Sequence, residues 1–477
     1  MSDWFIERIT QFGERPALIH GANRYSYAQL AEQIQRYSVQ CRKQGLSAGD
    51  VVTLETDYSL HALAALFALF QLKAIVVPVA TTAPPEIQLR RVESRAQWTL
   101  QLSAGEIQLT PLHCTEAPHP LVEQLTQQQH PGLVLFSSGS TGRPKAMIHD
   151  TERLLAPLEQ KRARSHRILI FLLFDHIGGL NTLFNGLASG ALIVIPAGRD
   201  PISIGAAIEQ YQVNLLPASP TFLNLLLMSG AHQQFDFSSL RFITYGTEPM
   251  PESLLLRLKQ ALPNANFIQT FGTSETGISQ TISRSSKSIQ IKIEDPNTEY
   301  KIENGELWLR SKSQILGYLN HDMSRFTADG WFKTGDIVEQ TEDGFLTITG
   351  RREDIINVGG EKVTPSEVES TLLEMPEIAD CLVYGQKNAI MGQNVAAEVV
   401  IAPDSPNDRQ ALKRRIKQHC RARLSAYKVP ARITFSKSTT FSDRFKKNRI
   451  SQPGSKTEES ESNSEQDRAR TDTTKVQ

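Results

Sequence analysis

The chain has 477 residues, 40% of them hydrophobic, with 51 basic (Lys and Arg) and 51 acidic (Asp and Glu) residues. This length favours two or three domains, and the composition supplies sizeable buried cores, which excludes a disordered chain. A net charge of zero gives no overall field to attract nucleic acid or an acidic membrane surface. The basic run KRARSHR at 161–167 is interpreted as a solvated helix face, since no aromatic residues interleave it.

The cysteines and the N-terminal residues indicate a compartment. Cys41, Cys114, Cys381 and Cys420 lie far apart without CxxC spacing, which argues against a zinc site or a disulfide framework and fits a reducing cytoplasm. The first residues lack a basic segment followed by an apolar core, so no secretory signal is expected. The most apolar helix candidate, 62–72, is too short for a bilayer, and we predict no membrane span.

Through residue 262, apolar strand-like runs alternate with amphipathic helical windows. Helices are predicted at 27–45 and 253–262, and strands at 74–79, 133–136, 168–174, 191–195 and 240–244. The alternation predicts an α/β body with largely buried parallel strands.

The pattern changes from residue 301, where turns and short alternating strands are typical of hairpins and Asp343-Gly344 marks one tight turn. After Gly350 the sequence predicts a helix at 365–373, strands at 380–384 and 394–401, and a helix at 408–424. We therefore expect an N-terminal domain at 1–350 and a smaller α+β domain at 351–450. Residues 451–477 contain one aliphatic residue, Val476, and are predicted to be a disordered tail.

One loop points to a ligand. Residues 136–145 read FSSGSTGRPK, and a polyphosphate needs donors, close backbone approach and positive charge. These are offered by Ser137, Ser138, Gly139, Ser140, Thr141, Gly142 and Lys145. The loop is not a Walker loop, because its lysine is not followed by Ser or Thr. The pattern predicts binding of a nucleotide triphosphate, with a flexible surface loop as the structural alternative.

Four further segments follow in a fixed order: YGTEPMP at 245–251, TFGTSETG at 270–277, WFKTGDI at 331–337 and GRREDIINVGGEKVTPSEVE at 350–369. With FSSGSTGRPK they resemble the adenylate-forming superfamily of acyl-CoA synthetases, nonribosomal-peptide adenylation domains and firefly-type luciferases. The resemblance implies a large α/β N-terminal domain and a small mobile C-terminal domain, with ATP and a carboxylic acid bound between them. It implies formation of an acyl-adenylate with loss of pyrophosphate, after which a thiol displaces AMP.

The resemblance also implies roles for individual residues of the nucleotide site. Asp336 and Arg351 match positions that hold the ribose hydroxyls, and Glu275 and Thr141 match the contacts of Mg²⁺. Phe271 matches the aromatic residue that packs on adenine. The loops around adenine are formed by Thr270, Gly272 and Thr273 on one side and by Gly246, Thr247, Glu248 and Pro249 on the other. Without the resemblance, Asp336 would be a turn residue, Glu275 a helix-start acid, Thr141 a turn hydroxyl and Phe271 a core residue.

The catalytic lysine is matched by Lys446 in DRFKKNR, with Phe445 where the family has glycine. Such a lysine would stabilise the negative charge shared by the carboxylate and the α-phosphate, and its loss typically costs about 10² to 10³ in turnover. Lys446, Glu275 and Thr141 are thus the candidate catalytic residues. If Phe445 cannot take the backbone shape of glycine, adenylation would be slow or Lys447 would substitute. In the structural alternative both lysines belong to a solvated turn.

Further matches concern the thiol, the hinge and the acid. Gly359 and Gly360 would let a pantetheine arm pass close to the backbone, and Lys362 would contact phosphate or remain a surface lysine. Glu353 stands at the hinge position, where the family normally has Asp or Lys.

The segment 174–191 matches the lining of the acyl pocket. His176 is its candidate gate or a satisfied structural histidine, and Gly178 and Gly179 would leave room beside it.

The leading hypothesis is an ATP- and Mg²⁺-dependent acid–CoA ligase, whose partners are a small carboxylic acid and CoA. One alternative within the fold is transfer to the phosphopantetheine of an acyl or peptidyl carrier protein. Another is a degenerate member that binds nucleotide or acyl-adenylate without turnover, which Phe445 and Glu353 motivate. A luciferase-type oxygenase rests on fold analogy alone. The sequence does not identify the acid.

Overall fold

A computed structural model of the chain describes residues 3–103, 105–114, 116–137, 143–403, 405, 408–437, 439 and 447. Its strands are β1 Pro16–His20, β2 Asn23–Ser26, β3 Val51–Glu55, β4 Ile75–Val79, β5 Trp98–Ser103, β6 Glu106–Pro111, β7 Gly132–Ser137, β8 Lys145–Asp150, β9 Arg167–Leu169, β10 Leu192–Ile195, β11 Leu215–Ala218, β12 Phe242–Tyr245, β13 Asn266–Gln269, β14 Phe271–Thr273, β15 Gly277–Ser279, β16 Thr281–Ser283, β17 Gln290–Ile293, β18 Thr298–Glu303, β19 Glu306–Ser311, β20 Gly317–Tyr318, β21 Phe332–Gln340, β22 Leu346–Arg351, β23 Ile356–Val358, β24 Glu361–Val363, β25 Ile378–Asn388, β26 Gly392–Ile401 and β27 Arg432–Ser436.

The α-helices are α1 Asp3–Gln11, α2 Tyr27–Lys43, α3 Leu60–Gln71, α4 Pro84–Glu93, α5 Pro120–Gln128, α6 Thr151–Leu155, α7 Ile177–Ala188, α8 Pro201–Tyr211, α9 Pro220–Met228, α10 Ala231–Gln234, α11 Glu252–Ala261, α12 Pro365–Leu373 and α13 Arg409–Arg421. Short 3₁₀ helices lie at Ala156–Leu158, Arg352–Asp354 and Ala426–Lys428. No helix within the described ranges is long and apolar enough to cross a membrane.

Two large sheets form the body of the N-terminal domain. The first has the order β13-β12-β11-β9-β10-β1-β2 and is parallel except for the β1–β2 hairpin at its edge. The second has the order β20-β8-β7-β4-β3-β5-β6, with parallel strands β7, β4, β3 and β5 at its centre. Buried parallel strands of this kind confirm the predicted α/β body.

The helices that cover these sheets begin and end where the sequence provides caps. Ser26 accepts a hydrogen bond from the main chain of Gln29, whose side chain bonds back to Ser26, and this capping box starts α2. Helix α3 is apolar on all sides, and it is buried in the apolar cluster shared by both sheets. The cluster joins the two sheets into one body.

The hairpin region and the small domain follow as predicted. Strands β16 to β19, β21 and β22 form an antiparallel sheet, and Gly344 has a φ of +84° in the turn between β21 and β22. Beyond it, α12 and α13 pack on a sheet of β23 to β27 with their own apolar cluster. Helix α12 occupies the predicted residues, and the tail 451–477 lies outside the described residues.

Two local predictions are wrong. The basic run 161–167 is exposed along most of its length, but residues 161–166 form an irregular loop and Arg167 begins β9, so the run is not a helix. The run has no apolar residues at helical spacing to hold one helix face against the core. The strand predicted at 168–174 ends at Leu169, and the residues that follow lead to the start of α7.

Candidate active site

The phosphate loop connects two paired strands. β7 and β8 run antiparallel, and Ser137 lies opposite Lys145 at the ends of the loop. The intervening Ser138, Gly139, Ser140, Thr141 and Gly142 lie outside the described residues, so their phosphate and metal contacts stay predictions.

The C-terminal side of this loop is fixed by two residues that the motif search missed. Glu93 at the end of α4 accepts from Arg143 Nε at 2.7 Å and from Asn320 Nδ2 at 2.7 Å. Asn320 also donates to the Pro144 carbonyl at 2.9 Å and accepts from the Ala146 main chain at 2.9 Å. The loop is thus clamped between α4 and the segment after β20. No motif contains Glu93 or Asn320, because their role arises from contacts between distant segments.

Glu275 lies beside the foot of the same loop. It is 9% exposed, and the Tyr318 hydroxyl donates to its Oε1 at 3.1 Å. Burial, and then the neighbouring Glu275 carboxylate, raise the pKa of Tyr318 well above its usual value, so this hydroxyl remains a donor. The Lys145 ammonium lies 5.7 Å from the centre of the Tyr318 ring. The structure therefore brings together Lys145, Tyr318 and Glu275.

This arrangement fits a metal carried by the nucleotide better than a protein-built metal site. Among the described residues no group of three or more His, Cys, Asp or Glu side chains is placed to hold a metal ion. Mg²⁺ in nucleotide enzymes is commonly held by one or two carboxylates together with phosphates and water. A single buried carboxylate at Glu275 is consistent with that pattern.

The two predicted adenine loops lie next to each other. Tyr245 and Gln269 pair at the carboxyl ends of the parallel strands β12 and β13, so loops 246–249 and 270–273 leave the same sheet edge. A Cβ on Gly246 would lie 2.7 Å from the Thr270 carbonyl oxygen, which explains the glycine. Thr247 has a φ of +73°, an unusual conformation for a residue with a side chain and one that is frequent at binding sites.

Three side chains of these loops, those of Glu248, Phe271 and Thr273, contact other parts of the protein. Both oxygens of Glu248 accept from protein donors, Thr221 Oγ1 at 2.6 Å and the Lys447 main chain at 3.1 Å. Phe271 is 7% exposed and belongs to the apolar cluster of the hairpin sheet. This is the core position that its apolar character alone suggests, and adenine stacking stays a prediction. Thr273 binds Thr276 and the Glu275 main chain, which shapes the turn that carries Glu275.

Asp336 and Arg351 form a pair on adjacent strands. They are opposite each other in β21 and β22, and Arg351 Nε lies 3.2 Å from Asp336 Oδ1. Asp336, and more weakly Glu353 and Glu275, raise the pKa of Arg351. The pair has the carboxylate acceptor expected for ribose hydroxyls, and Glu275 lies within its electrostatic range.

His176 has a clear structural role. It is the N-cap of α7, where its Nδ1 accepts from the Gly178 main chain at 3.2 Å. Gly179 is required by packing, because a Cβ there would lie 2.4 Å from the Leu173 carbonyl oxygen. A gating role for His176 and space beside Gly178 stay predictions.

The neighbour of His176 belongs to a buried ion pair that the sequence did not indicate. Asp175 binds Arg90 of α4, and both side chains are buried. The Arg90 guanidinium also lies over the Phe136 ring, 5.6 Å from its centre. Helix α4 therefore contacts the predicted acyl pocket through Arg90 and the phosphate loop through Glu93.

In the small domain, Gly359 and Gly360 form the two-residue turn between β23 and β24. Their φ values are +61° and +96°, as the favoured two-residue hairpin turn requires. Both glycines are exposed, as is Lys362 on β24. Glu353 lies in the short 3₁₀ helix between the hairpin sheet and the small domain, where a hinge is expected. These four functional assignments stay predictions.

The two candidate lysines differ in what the structure describes. Lys446 lies outside the described residues. Lys447 is described, and its ammonium lies 3.2 Å from Asp380 and 4.0 Å from Glu369 of the small domain. The ammonium of Lys447 is thus engaged in the small domain, and the choice between Lys446 and Lys447 as the catalytic lysine stays a prediction.

The fold and these clustered residues define an adenylate-forming enzyme. The AMP-binding enzyme profile matches residues 5–319, and the AMP-binding enzyme C-terminal domain profile matches residues 367–440. The chain belongs to the AMP-binding enzyme family.

Solved structures share this fold along most of the chain. The anthranilate CoA ligase AuaEII in complex with anthranoyl-AMP has a TM-score of 0.78 at 21% identity, covering 92% of this chain and 94% of that one. The o-succinylbenzoate CoA synthetase of Bacillus subtilis in complex with its acyl-adenylate has a TM-score of 0.73 at 24% identity, covering 92% and 95%. The expected two-domain adenylate-forming fold is confirmed.

Curated relatives match over nearly their whole length. The 2-succinylbenzoate–CoA ligase of Bacillus licheniformis is 28% identical, covering 91% of this chain and 95% of that protein. The 4-coumarate–CoA ligase of Humulus lupulus is 27% identical, covering 90% and 88%. The indoleacetate–CoA ligase of Aromatoleum aromaticum is 26% identical, covering 91% and 94%.

Proposed function

We propose that this protein is an AMP-forming acid–CoA ligase that activates an aromatic carboxylic acid. The proposal is carried by the convergence of Lys145, Tyr318 and Glu275 at the phosphate loop. The relatives support the ligase class predicted from the sequence. They also motivate the aromatic acid, since succinylbenzoate, coumarate and indoleacetate all contain an aromatic ring.

In the first half-reaction, a carboxylate oxygen of the acid attacks the α-phosphorus of ATP, and pyrophosphate leaves. Lys145 would neutralise phosphate charge at the loop, and the Asp336–Arg351 pair would orient the ribose. Mg²⁺, when bound with ATP, would supply charge neutralisation at the phosphates, with Glu275 as its protein ligand. Lys446 would stabilise the charge that develops between the carboxylate and the α-phosphate.

In the second half-reaction, the CoA sulfur attacks the acyl carbonyl carbon, and AMP leaves. The Gly359–Gly360 turn is the proposed contact of the pantetheine arm, and a rotation about the Glu353 segment would bring it to the acyl-adenylate. A cytoplasmic location is part of the proposal, because no disulfide joins Cys41, Cys114, Cys381 or Cys420 to another described cysteine.

Pyrophosphate release from ATP and Mg²⁺ across aromatic, short aliphatic and long aliphatic acids tests this function. We expect release with one aromatic class, formation of its CoA thioester, and loss of release in Lys446→Ala. Release only with aliphatic acids would refute the aromatic preference. ATP binding without release from any acid would refute the ligase function and favour a binding protein. Release with transfer to a phosphopantetheine carrier protein, and none to CoA, would favour carrier loading.

A further inference from the structure

Lys447 is joined to both domains at once. Its side chain belongs to the small domain, where the ammonium lies 3.2 Å from Asp380 Oδ1 and 4.0 Å from Glu369 Oε2, and it also donates to the Cys381 carbonyl. Its main-chain N–H donates to Glu248 Oε1 of the large domain at 3.1 Å. One residue near the end of the described chain therefore bridges the two domains.

The small-domain side of this bridge is buried. The side chains of Lys447, Asp380 and Glu369 are 11%, 4% and 3% exposed. The second oxygen of Asp380 accepts from Thr439, and the second oxygen of Glu369 accepts from the Val383 main chain at 2.9 Å. Burying a lysine is costly unless acids and carbonyls surround it, and such a pair favours one position over others. The ammonium thus fixes where the Lys447 main chain lies on the small domain.

The large-domain side is a carboxylate held in place by a helix. Thr221 of α9 donates to Glu248 Oε2 at 2.6 Å, which leaves Oε1 directed at Lys447. Two neighbouring hydrogen bonds also cross the seam, which is the contact between the large and the small domain, and in each of them a large-domain side chain donates to a small-domain carbonyl. Asn224 of α9 donates to the Ala379 carbonyl at 3.2 Å, and Ser253 of α11 donates to the Ser370 carbonyl at 3.1 Å. The bridge is therefore part of a continuous contact between the domains.

Glu248 belongs to the loop 246–249 at the proposed nucleotide edge of the first sheet, so the bridge holds Lys447 beside that edge. In this orientation Gly359 and Gly360 are exposed. The hydrogen bond from the Lys447 main-chain N–H to the Glu248 carboxylate is strong enough to favour one domain orientation. When it breaks, the Lys447 ammonium keeps its acidic partners in the small domain, so no buried charge is left unpaired there.

We propose that Lys447 and Glu248 are positioning residues for the first half-reaction. The Lys447 side chain fixes its own main chain on the small domain, and Glu248 holds that main chain against the large domain while the acid reacts with ATP. The bridge releases when the small domain turns to present Gly359 and Gly360. This inference rests on the proposed function.

The test separates the two half-reactions in the full-length protein. The variants are Lys447→Met, Lys447→Arg and Glu248→Gln, with Lys428→Met as control. Lys428 pairs with Glu367 at 2.7 Å within the small domain. Pyrophosphate release from ATP and the accepted acid measures the first step. Thioester formation from CoA and the chemically prepared acyl-adenylate of that acid measures the second.

We expect Lys447→Met to slow pyrophosphate release by about 10- to 100-fold, because misplacing catalytic groups by about 1 Å costs a factor of this size. The same variant should slow thioester formation by less than about threefold. Lys447→Arg restores most of the first step, since it keeps the charge, and Lys428→Met changes neither step. A parallel loss of both steps in Lys447→Met would mean general damage to the fold and would overturn the proposal. Wild-type rates of pyrophosphate release in that variant would also overturn it.

Amide hydrogen exchange provides a readout that needs no substrate. In Glu248→Gln and Lys447→Met, residues 220–228 and 378–383 should exchange faster than in the wild type, because the seam opens more often. Unchanged exchange in both variants contradicts the bridge. If the wild-type protein releases no pyrophosphate with any acid, the proposed function fails, while the exchange measurement still decides whether Lys447 and Glu248 hold the domains together.

Discussion

Replacing Glu93 by glutamine should weaken ATP binding, although Glu93 is not in any nucleotide motif. The carboxylate clamps the phosphate loop through Arg143 and Asn320. Arg143 is 69% exposed, so its ion pair contributes about 0–1 kcal/mol. The bond from Asn320 to the buried carboxylate contributes about 1.5–3 kcal/mol. If the loop binds ATP only when clamped, a loss of about 2 kcal/mol corresponds to a rise of about 30-fold in the KM for ATP.

The assay is steady-state pyrophosphate release at saturating acid, with ATP varied, supported by equilibrium binding of ATP. A suitable control is Glu106→Gln, since Glu106 also binds an arginine and an amide, Arg36 and Gln40, but lies on β6, which three strands of the second sheet separate from β7. The reasoning is refuted if the KM for ATP stays within about twofold of wild type, or if the KM for the acid rises by the same factor.

Three further predictions concern other parts of the molecule. Asp336→Asn should weaken AMP binding by about tenfold, because the variant loses a charged acceptor for the ribose hydroxyls. Calorimetric titration with AMP measures this change. The control variant Asp343→Asn, at an exposed position, should leave AMP binding unchanged. Burial lowers the pKa of His149 to about 4, with a smaller opposing effect from the main chain of Ser313 and Ser274. The neutral ring therefore stabilises the fold fully above pH 6.5, and this stability falls as pH decreases towards 4, by about 2 kcal/mol at pH 5; urea unfolding should show a fall that His149→Phe removes. Gly360→Ala places a side chain at a φ of +96°, which costs about 1–2 kcal/mol of stability in the turn. The variant should slow thioester formation more than pyrophosphate release. Equal slowing of both steps would contradict the proposed contact of Gly360 with the pantetheine arm.

Much of the fold was predictable because the hydrophobic pattern is strong. The apolar runs at β4, β7, β10 and β12 are buried strands, and the helix predicted at 365–373 has its predicted ends. The predictions failed where the pattern is ambiguous. The apolar residues after Leu169 read as a continuing strand, but they leave the sheet to reach the cap of α7 at His176. Burial alone cannot distinguish a strand from a buried loop.

The structure brings together two residues that the sequence motifs singled out, while their role toward the ribose stays a prediction. Asp336 and Arg351 were matched from separate motifs, and they pair directly in the structure. Glu93 and Asn320 could not be identified from sequence motifs. Each contributes to the loop through a contact with a residue more than 150 positions away in the chain. Asp175 lies within the segment predicted to line the acyl pocket, yet nothing local indicates its pairing with Arg90.

If segment 174–191 lines the acyl pocket, as predicted, helix α4 restricts how the acid specificity of this enzyme can be changed. Arg90 faces the segment of His176 and Glu93 faces the phosphate loop, three residues apart on one helix. A library that varies α4 to admit a new acid would therefore alter nucleotide affinity in the same clones, and selection for acid turnover alone would not distinguish the two causes. Under the proposed function, diversity placed on residues 170–174, which lead into α7, with Arg90 and Glu93 held constant, should change acid preference without changing nucleotide affinity.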